Sequence, residues 1–188
     1  MFKNKGLGFY LWVGAVFFAL GIFVGSFYAA GLTGEAFSDV LGYLKAYFEG
    51  GVRNRGEVFL NSFLLNLRLF VVIFLSGFFK FTMPLTIVSI GFEGFTSGFT
   101  TASLIKVFGT KGLLLGLSGI VSTLIFIVNL VFFGAWSMKF SLNNGKNDRF
   151  FKKNYFILSG IALTIFCIAS LSDGYITTTF MGLIVNKL

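Results

Sequence analysis

The sequence contains no histidine, one cysteine and one proline, and only seven of its 188 residues are acidic. Without histidine there is no imidazole base, so a Ser-His-Asp triad, a Cys-His dyad and a His-ligated metal site are all excluded. One cysteine, Cys167, builds neither a metal cluster nor an intrachain disulfide and reports nothing about redox compartment. The phosphate-cradling pattern G-x-x-x-x-G-K-[ST] is missing, and the run Gly109 to Gly112 does not follow a strand. No cofactor, no metal and no enzymatic chemistry are therefore expected. Charge is scarce too: 12% of residues are charged, where a soluble domain has about 25%. What is abundant is apolar: 56% of the chain, 19% aromatic with 28 phenylalanines, and a mean hydropathy of +0.88. Too little polar surface remains to cover a water-facing globule, so this is the composition of an integral membrane protein. The formal charge of +8 reads as cationic loops beside a membrane, with no nucleic-acid partner.

A hydrocarbon core of about 30 Å needs roughly 20 apolar residues in a helix. Five segments meet that length: 7–32, 58–79 with Arg68 as its one charge, 84–105 with Glu93 as its one charge, 112–138 and 155–172. The tail 175–188 is apolar in its first part but too short to span alone. It is re-entrant, interfacial, or a continuation of the fifth span past Asp173. The first segment follows Lys3 and Lys5 and is longer than the 7–15 apolar residues of a secretory signal, so it is expected to be a retained anchor. The expected fold is an all-α polytopic bundle of about five transmembrane helices.

Between the first two spans, Phe37, Val40, Leu41, Leu44, Tyr47 and Phe48 recur at the spacing of one helical face. An amphipathic helix over 36–49 is expected, capped by Thr33 or Ser38 and stopped by Gly50-Gly51. It rests on the bilayer interface or closes over the bundle, or it docks a partner through Phe37, Val40, Leu41, Leu44 and Phe48. Lysine and arginine favour the cytoplasmic side. With the N-terminus inside, eight basic residues fall on inner segments and six on outer ones, and the inner set includes the compact basic loop 139–154. The loop carrying the amphipathic helix instead balances Lys45, Arg53 and Arg55 with Glu35, Asp39, Glu49 and Glu57. The expected location is the plasma membrane, with lipid around the spans and the N-terminus cytoplasmic.

Arg68 and Glu93 lie 12 and 13 residues from Lys80, hence at nearly equal depth in a hairpin. An ionisable group at that depth costs at least ~2.5–3.5 kcal/mol on insertion scales unless satisfied. An intramembrane ion pair is expected, either fixing helix register or lining an ion or proton path. Small residues at helical spacing let backbones approach closely in lipid. Gly91, Gly94 and Gly98 in the third span and Gly112, Gly116 and Gly119 in the fourth therefore predict a tight antiparallel pair of those two spans. Gly21 and Gly25 form a G-x-x-x-G, usable for intramolecular packing or for a homodimer. Tyr10, Trp12, Tyr28, Trp136 and Tyr155, near span ends, read as interface anchors. Asp173 reads as a lone acid, solvated or paired with Lys106 or Lys111.

The segment FEGFTSGFTTASLIKVFGTKG over 92–112, followed by LLLGLSGIVSTLIFIVNLVFFGAWS, resembles the core of the stage II sporulation protein M family. There a G-x-x-x-G-F-T-x-x-x-[LI] helix leads through a short turn into a long apolar span. Asn66-Leu67-Arg68 is similar to that family's Asn-x-basic element, and the likeness extends over essentially the whole chain. It implies a membrane scaffold of the mother cell that localises two extracytoplasmic peptidoglycan hydrolases, a lytic transglycosylase and an amidase/endopeptidase, during engulfment of the forespore. The rival from a different class, motivated by Arg68 and Glu93, is a small permease or the membrane subunit of an ABC-type exporter.

Overall fold

The computed structural model describes residues 6–49, 54–143 and 149–180. Among them there is no strand, and the protein is an all-α polytopic membrane protein. In chain order the helices are α1 (Leu7–Gly31), α2 (Gly34–Glu49), α3 (Arg55–Ser76), a 3-10 turn (Lys80–Thr82), α4 (Met83–Phe108), α5 (Thr110–Ser118), α6 (Ile120–Asn143) and α7 (Arg149–Ser172), which runs into a π-helical turn (Asp173–Thr177). Among the described residues four helices are long and apolar enough to cross a bilayer: Leu7–Gly31, Arg55–Ser76, Ile120–Leu142 and Lys152–Phe180. The sequence pattern suggested five. The difference is α4, which at 26 residues is long enough but carries Thr86, Ser89, Glu93, Thr96 and Ser97 along its length.

Helix α4 is accommodated by α1, its most extensive neighbour. Methyl groups added at Gly21 or Gly25 would overlap the backbone of Gly91 and Phe95, and methyls at Gly94 or Gly98 would overlap the backbone of Phe18 and Ile22. Four hydrogens thus set the spacing of the two backbones. Ser26 Oγ, donating to Gly98 O (3.2 Å), adds a cross-helix bond. The expectation that the third-span glycines would meet the fourth span is corrected: their partner is α1, and Gly21 and Gly25 serve this intramolecular seam. A methyl added at Gly91 itself would make only ordinary contact, 3.7 Å from Phe17 O. Of the fourth-span glycines, a methyl added at Gly112 would overlap the Leu104 carbonyl, while methyls added at Gly116 and Gly119 would meet their nearest neighbours at 3.8 and 3.7 Å.

Chain reversals are short. Gly34 (φ 62°) opens α2 after the two residues that follow α1, and Gly109 (φ 59°) alone separates α4 from α5; both sit in the left-handed region where a Cβ is strained. The expected span 112–138 is broken at Gly119, and Ser118 Oγ there donates back to Leu115 O (2.7 Å). Helix α6 then runs to Asn143 and α7 begins at Arg149, so much of the expected basic loop is helix, because its lysines and arginine are good helix formers. Residues 144–148 lie outside the described part. The tail continues the last helix through the π turn to Phe180, and 181–188 lie outside the described residues.

The core is aromatic. Phe70 stacks on Phe133 at 5.1 Å and Phe140 on Tyr155 at 3.9 Å, and Phe166 meets Phe70 edge-on at 6.3 Å. Tyr10 and Tyr155, expected at the interface, are buried in the bundle, whereas Trp12 and Tyr28 are exposed. Tyr155 is buried because α3 ends there. A helix leaves its last four carbonyls unpaired, and in lipid each must find a donor inside the protein. Tyr155 Oη donates to Phe74 O (2.8 Å), Ser137 Oγ to Ile73 O (2.7 Å), Ser141 Oγ to Phe79 O (2.5 Å) and Thr82 Oγ1 to Ser76 O (2.5 Å). The Ser76 and Thr86 hydroxyls bond to each other beside them. Hydroxyls from the 3-10 turn, α4, α6 and α7 thus close the end of α3, and Gly77 leaves the room that the Tyr155 hydroxyl occupies.

Candidate functional site

Helices α3 and α4 diverge from the Lys80–Thr82 turn. Asn66 Nδ2 donates to Ser170 Oγ (2.9 Å), which donates in turn to Phe166 O (2.9 Å), so α3 is held on α7. Helix α4 is held on α1 by the glycine seam. Between them lies a cavity of ≈ 640 Å³. One wall carries Ser62, Asn66 and Arg68 of α3, the other Ser89, Glu93, Thr96 and Ser97 of α4, and Ser122, Thr123 and Asp173 complete it. Leu65, Leu69, Val72, Phe92 and Phe126 supply its apolar lining.

Arg68 and Glu93 therefore line one space, but the expected ion pair is not made: among the described residues no direct salt bridge joins them. The walls are pulled apart by their separate anchors on α7 and α1. Arg68 is exposed and Glu93 half-buried. The nearby Thr96 hydroxyl is turned to the backbone, donating to the carbonyl oxygen of Glu93 (3.0 Å).

Asp173 joins the cavity because α7 changes its winding there. A π turn rotates the side chains that follow relative to an α-helix, and such turns recur at functional sites. Gly174 permits it to press on α3, where a Cβ would lie 2.8 Å from Phe59 Cβ and 3.0 Å from Arg55 O. Asp173 Oδ1 accepts from Ser122 Oγ (2.5 Å). Its expected partner Lys106 is engaged elsewhere: Nζ donates to Ala30 O (2.7 Å), Leu32 O (2.6 Å) and Ala29 O (3.3 Å), a cation on the electronegative C-terminus of α1.

Ser89, Thr96 and Ser97 were missed in the sequence, although with Glu93 they fall at i, i+4, i+7 and i+8, one helical face. The placement of Asp173 had no such signal. Chemically, the cavity offers one guanidinium, two carboxylates, and several hydroxyls and an amide. It can hold a small charged or zwitterionic group. Among the described residues no three His, Cys, Asp or Glu side chains cluster to hold a metal ion.

The second candidate is α2. Phe37, Val40, Leu41 and Leu44 form its half-buried side, while Glu35, Ser38, Asp39, Gly42, Tyr43 and Lys45 are exposed; the side chain of Phe48 lies outside the described part. The helix is tied to the bundle near its start, where Lys106 Nζ sits 5.1 Å from the Phe37 ring centroid.

In comparisons with known proteins, the sequence model of one family, described as Stage II sporulation protein M, matches residues 14–178. No curated protein and no solved structure gives a significant match.

Proposed function

The chain belongs to the stage II sporulation protein M family, and on that premise we propose that it is a non-enzymatic scaffold of the plasma membrane that recruits and localises peptidoglycan hydrolases for septal wall thinning and engulfment. The family match over residues 14–178 carries this reading. The hydrolases are a lytic transglycosylase and an amidase/endopeptidase, working on the outer side of the mother-cell membrane. The N-terminus is cytoplasmic, so α2 stands outside, where wall enzymes act. Support comes from α2 itself: an amphipathic helix tethered at one end has an apolar side that a partner can take over.

The test is co-purification. Replacing Phe37, Leu41 and Leu44 together with serine is expected to abolish recovery of both hydrolases with the solubilised protein, while membrane insertion is unchanged. Fully burying an apolar side chain of this size contributes about 1.5–3 kcal/mol. Hydrolases recovered in undiminished amount would remove α2 from the account.

The cavity favours a second reading of another class: a small permease, or the transmembrane subunit of an ABC-type exporter. Intramembrane charges facing a cavity commonly mark substrate or ion paths. Here Arg68→Leu with Glu93→Leu separates the two. A scaffold tolerates the double neutralisation and still recovers its partners, whereas a permease loses flux in reconstituted vesicles.

A further inference from the structure

The cavity between α3 and α4 places opposite charges on facing walls that make no salt bridge to each other. Arg68 is 13 residues from the first residue of α3 and 8 from its last, about 20 Å and about 12 Å along the axis. Arg68 lines the cavity, and at that depth neither end of the helix is close. Glu93, across the gap, makes no salt bridge to it, and Asp173 adds a second carboxylate held by Ser122. A group bearing both charges would satisfy the two walls together.

We propose that this cavity binds the zwitterionic headgroup of an aminophospholipid, its phosphate against Arg68 and its primary ammonium against Glu93 and Asp173. The volume of ≈ 640 Å³ is within the range of small-molecule sites, about 300–1,000 Å³. The cavity opens sideways: Leu65 on one lip is 67% exposed and Phe92 on the other 61%, and both belong to helices packed within the bundle. That opening offers acyl chains a path along apolar side chains while the headgroup reaches inward.

Headgroup selectivity follows from the donors and acceptors. A guanidinium and a phosphate make a bidentate, charge-assisted pair. An anionic headgroup such as phosphatidylglycerol gains that pair but faces two carboxylates with no cation of its own. The quaternary ammonium of phosphatidylcholine balances charge but has no N–H to donate. The primary ammonium of phosphatidylethanolamine has three donors, which the Glu93 and Asp173 carboxylates and the neighbouring hydroxyls can accept.

The experiment uses the full chain, delipidated in detergent and titrated with phosphatidylethanolamine, phosphatidylglycerol and phosphatidylcholine of identical acyl chains, with bound lipid read by native mass spectrometry. Phosphatidylethanolamine is expected to bind about tenfold tighter than either of the others, the size of about one hydrogen bond to a charged group. Soluble O-phosphoethanolamine, which shares the headgroup but lacks chains, is expected not to displace it. Displacement at equal concentration would assign the site to a soluble zwitterion and overturn the lipid. In the Glu93→Gln, Asp173→Asn double variant the preference should move to phosphatidylglycerol, a gain of binding that misfolding does not produce. Equal binding of the three lipids by the unaltered protein, or an unchanged order in the double variant, refutes the proposal.

Discussion

Gly94→Ile and Gly98→Ile are each expected to prevent the native bundle from forming, seen as loss of the monodisperse peak in size-exclusion chromatography of the solubilised protein. Overpacking a yielding core typically costs about 1–3 kcal/mol, occasionally more. Here the obstruction is the backbone of Phe18 and Ile22 on α1, which cannot change rotamer, so the cost falls at or above the top of that range. To admit a branched side chain the α1–α4 seam must open along its length, and Ser26 would lose its bond to Gly98 O. Gly160→Ala is the control: nothing lies within 4 Å of an added methyl there. In the interior of α7 alanine should leave stability equal or raise it by up to about 1 kcal/mol. A stable, monodisperse Gly98→Ile protein would mean that α1 and α4 do not make this seam.

The second large effect is expected at Tyr155, and two substitutions divide its contributions. Tyr155→Ala removes a fully buried ring that stacks on Phe140 at 3.9 Å and on Phe74 at 5.6 Å. It should destabilise the protein by about 3–5 kcal/mol, the usual cost of deleting a large aromatic core side chain. Tyr155→Phe keeps the ring and removes only the hydroxyl that donates to Phe74 O. That carbonyl retains the Gly77 N–H as a donor (3.2 Å), so the loss should be about 1 kcal/mol. Thermal unfolding in detergent, followed by near-ultraviolet circular dichroism, measures both. Equal losses in the two variants would place the stability in the hydroxyl and not in the aromatic cluster.

These two sites differ in how far the sequence announced them. Glycine spacing in 91–98 marked a close-packed face correctly, because only small residues at helical intervals permit backbone contact in lipid. It did not name the opposing helix. A glycine face accepts any backbone of suitable shape, and α1 offered Gly21 and Gly25 as well as length to match. Tyr155 gave the opposite lesson. A tyrosine near a span end has the composition of an interface anchor, but the open carbonyls of α3 supplied a buried acceptor for its hydroxyl.

The cavity was half legible. Arg68 and Glu93 at one depth, with polar residues at helical spacing beside Glu93, could be read from residue order. The distance between the walls could not. It depends on Asn66 reaching Ser170, 104 positions away in the chain, and on α4 being held by α1.

By itself the sequence determined that this is a helical membrane protein with an amphipathic helix over its first reversal, and where its scarce charges lie along the helices. Composition and periodicity encode those properties locally, through the solvent each face must meet. Only the tertiary structure decided which helices the glycines join, that Arg68 and Glu93 face a cavity without touching, and that Asp173 turns into it. Each of these depends on the relative placement of helices, and the π turn at Asp173 depends on the packing of Gly174 against α3, which no local pattern records.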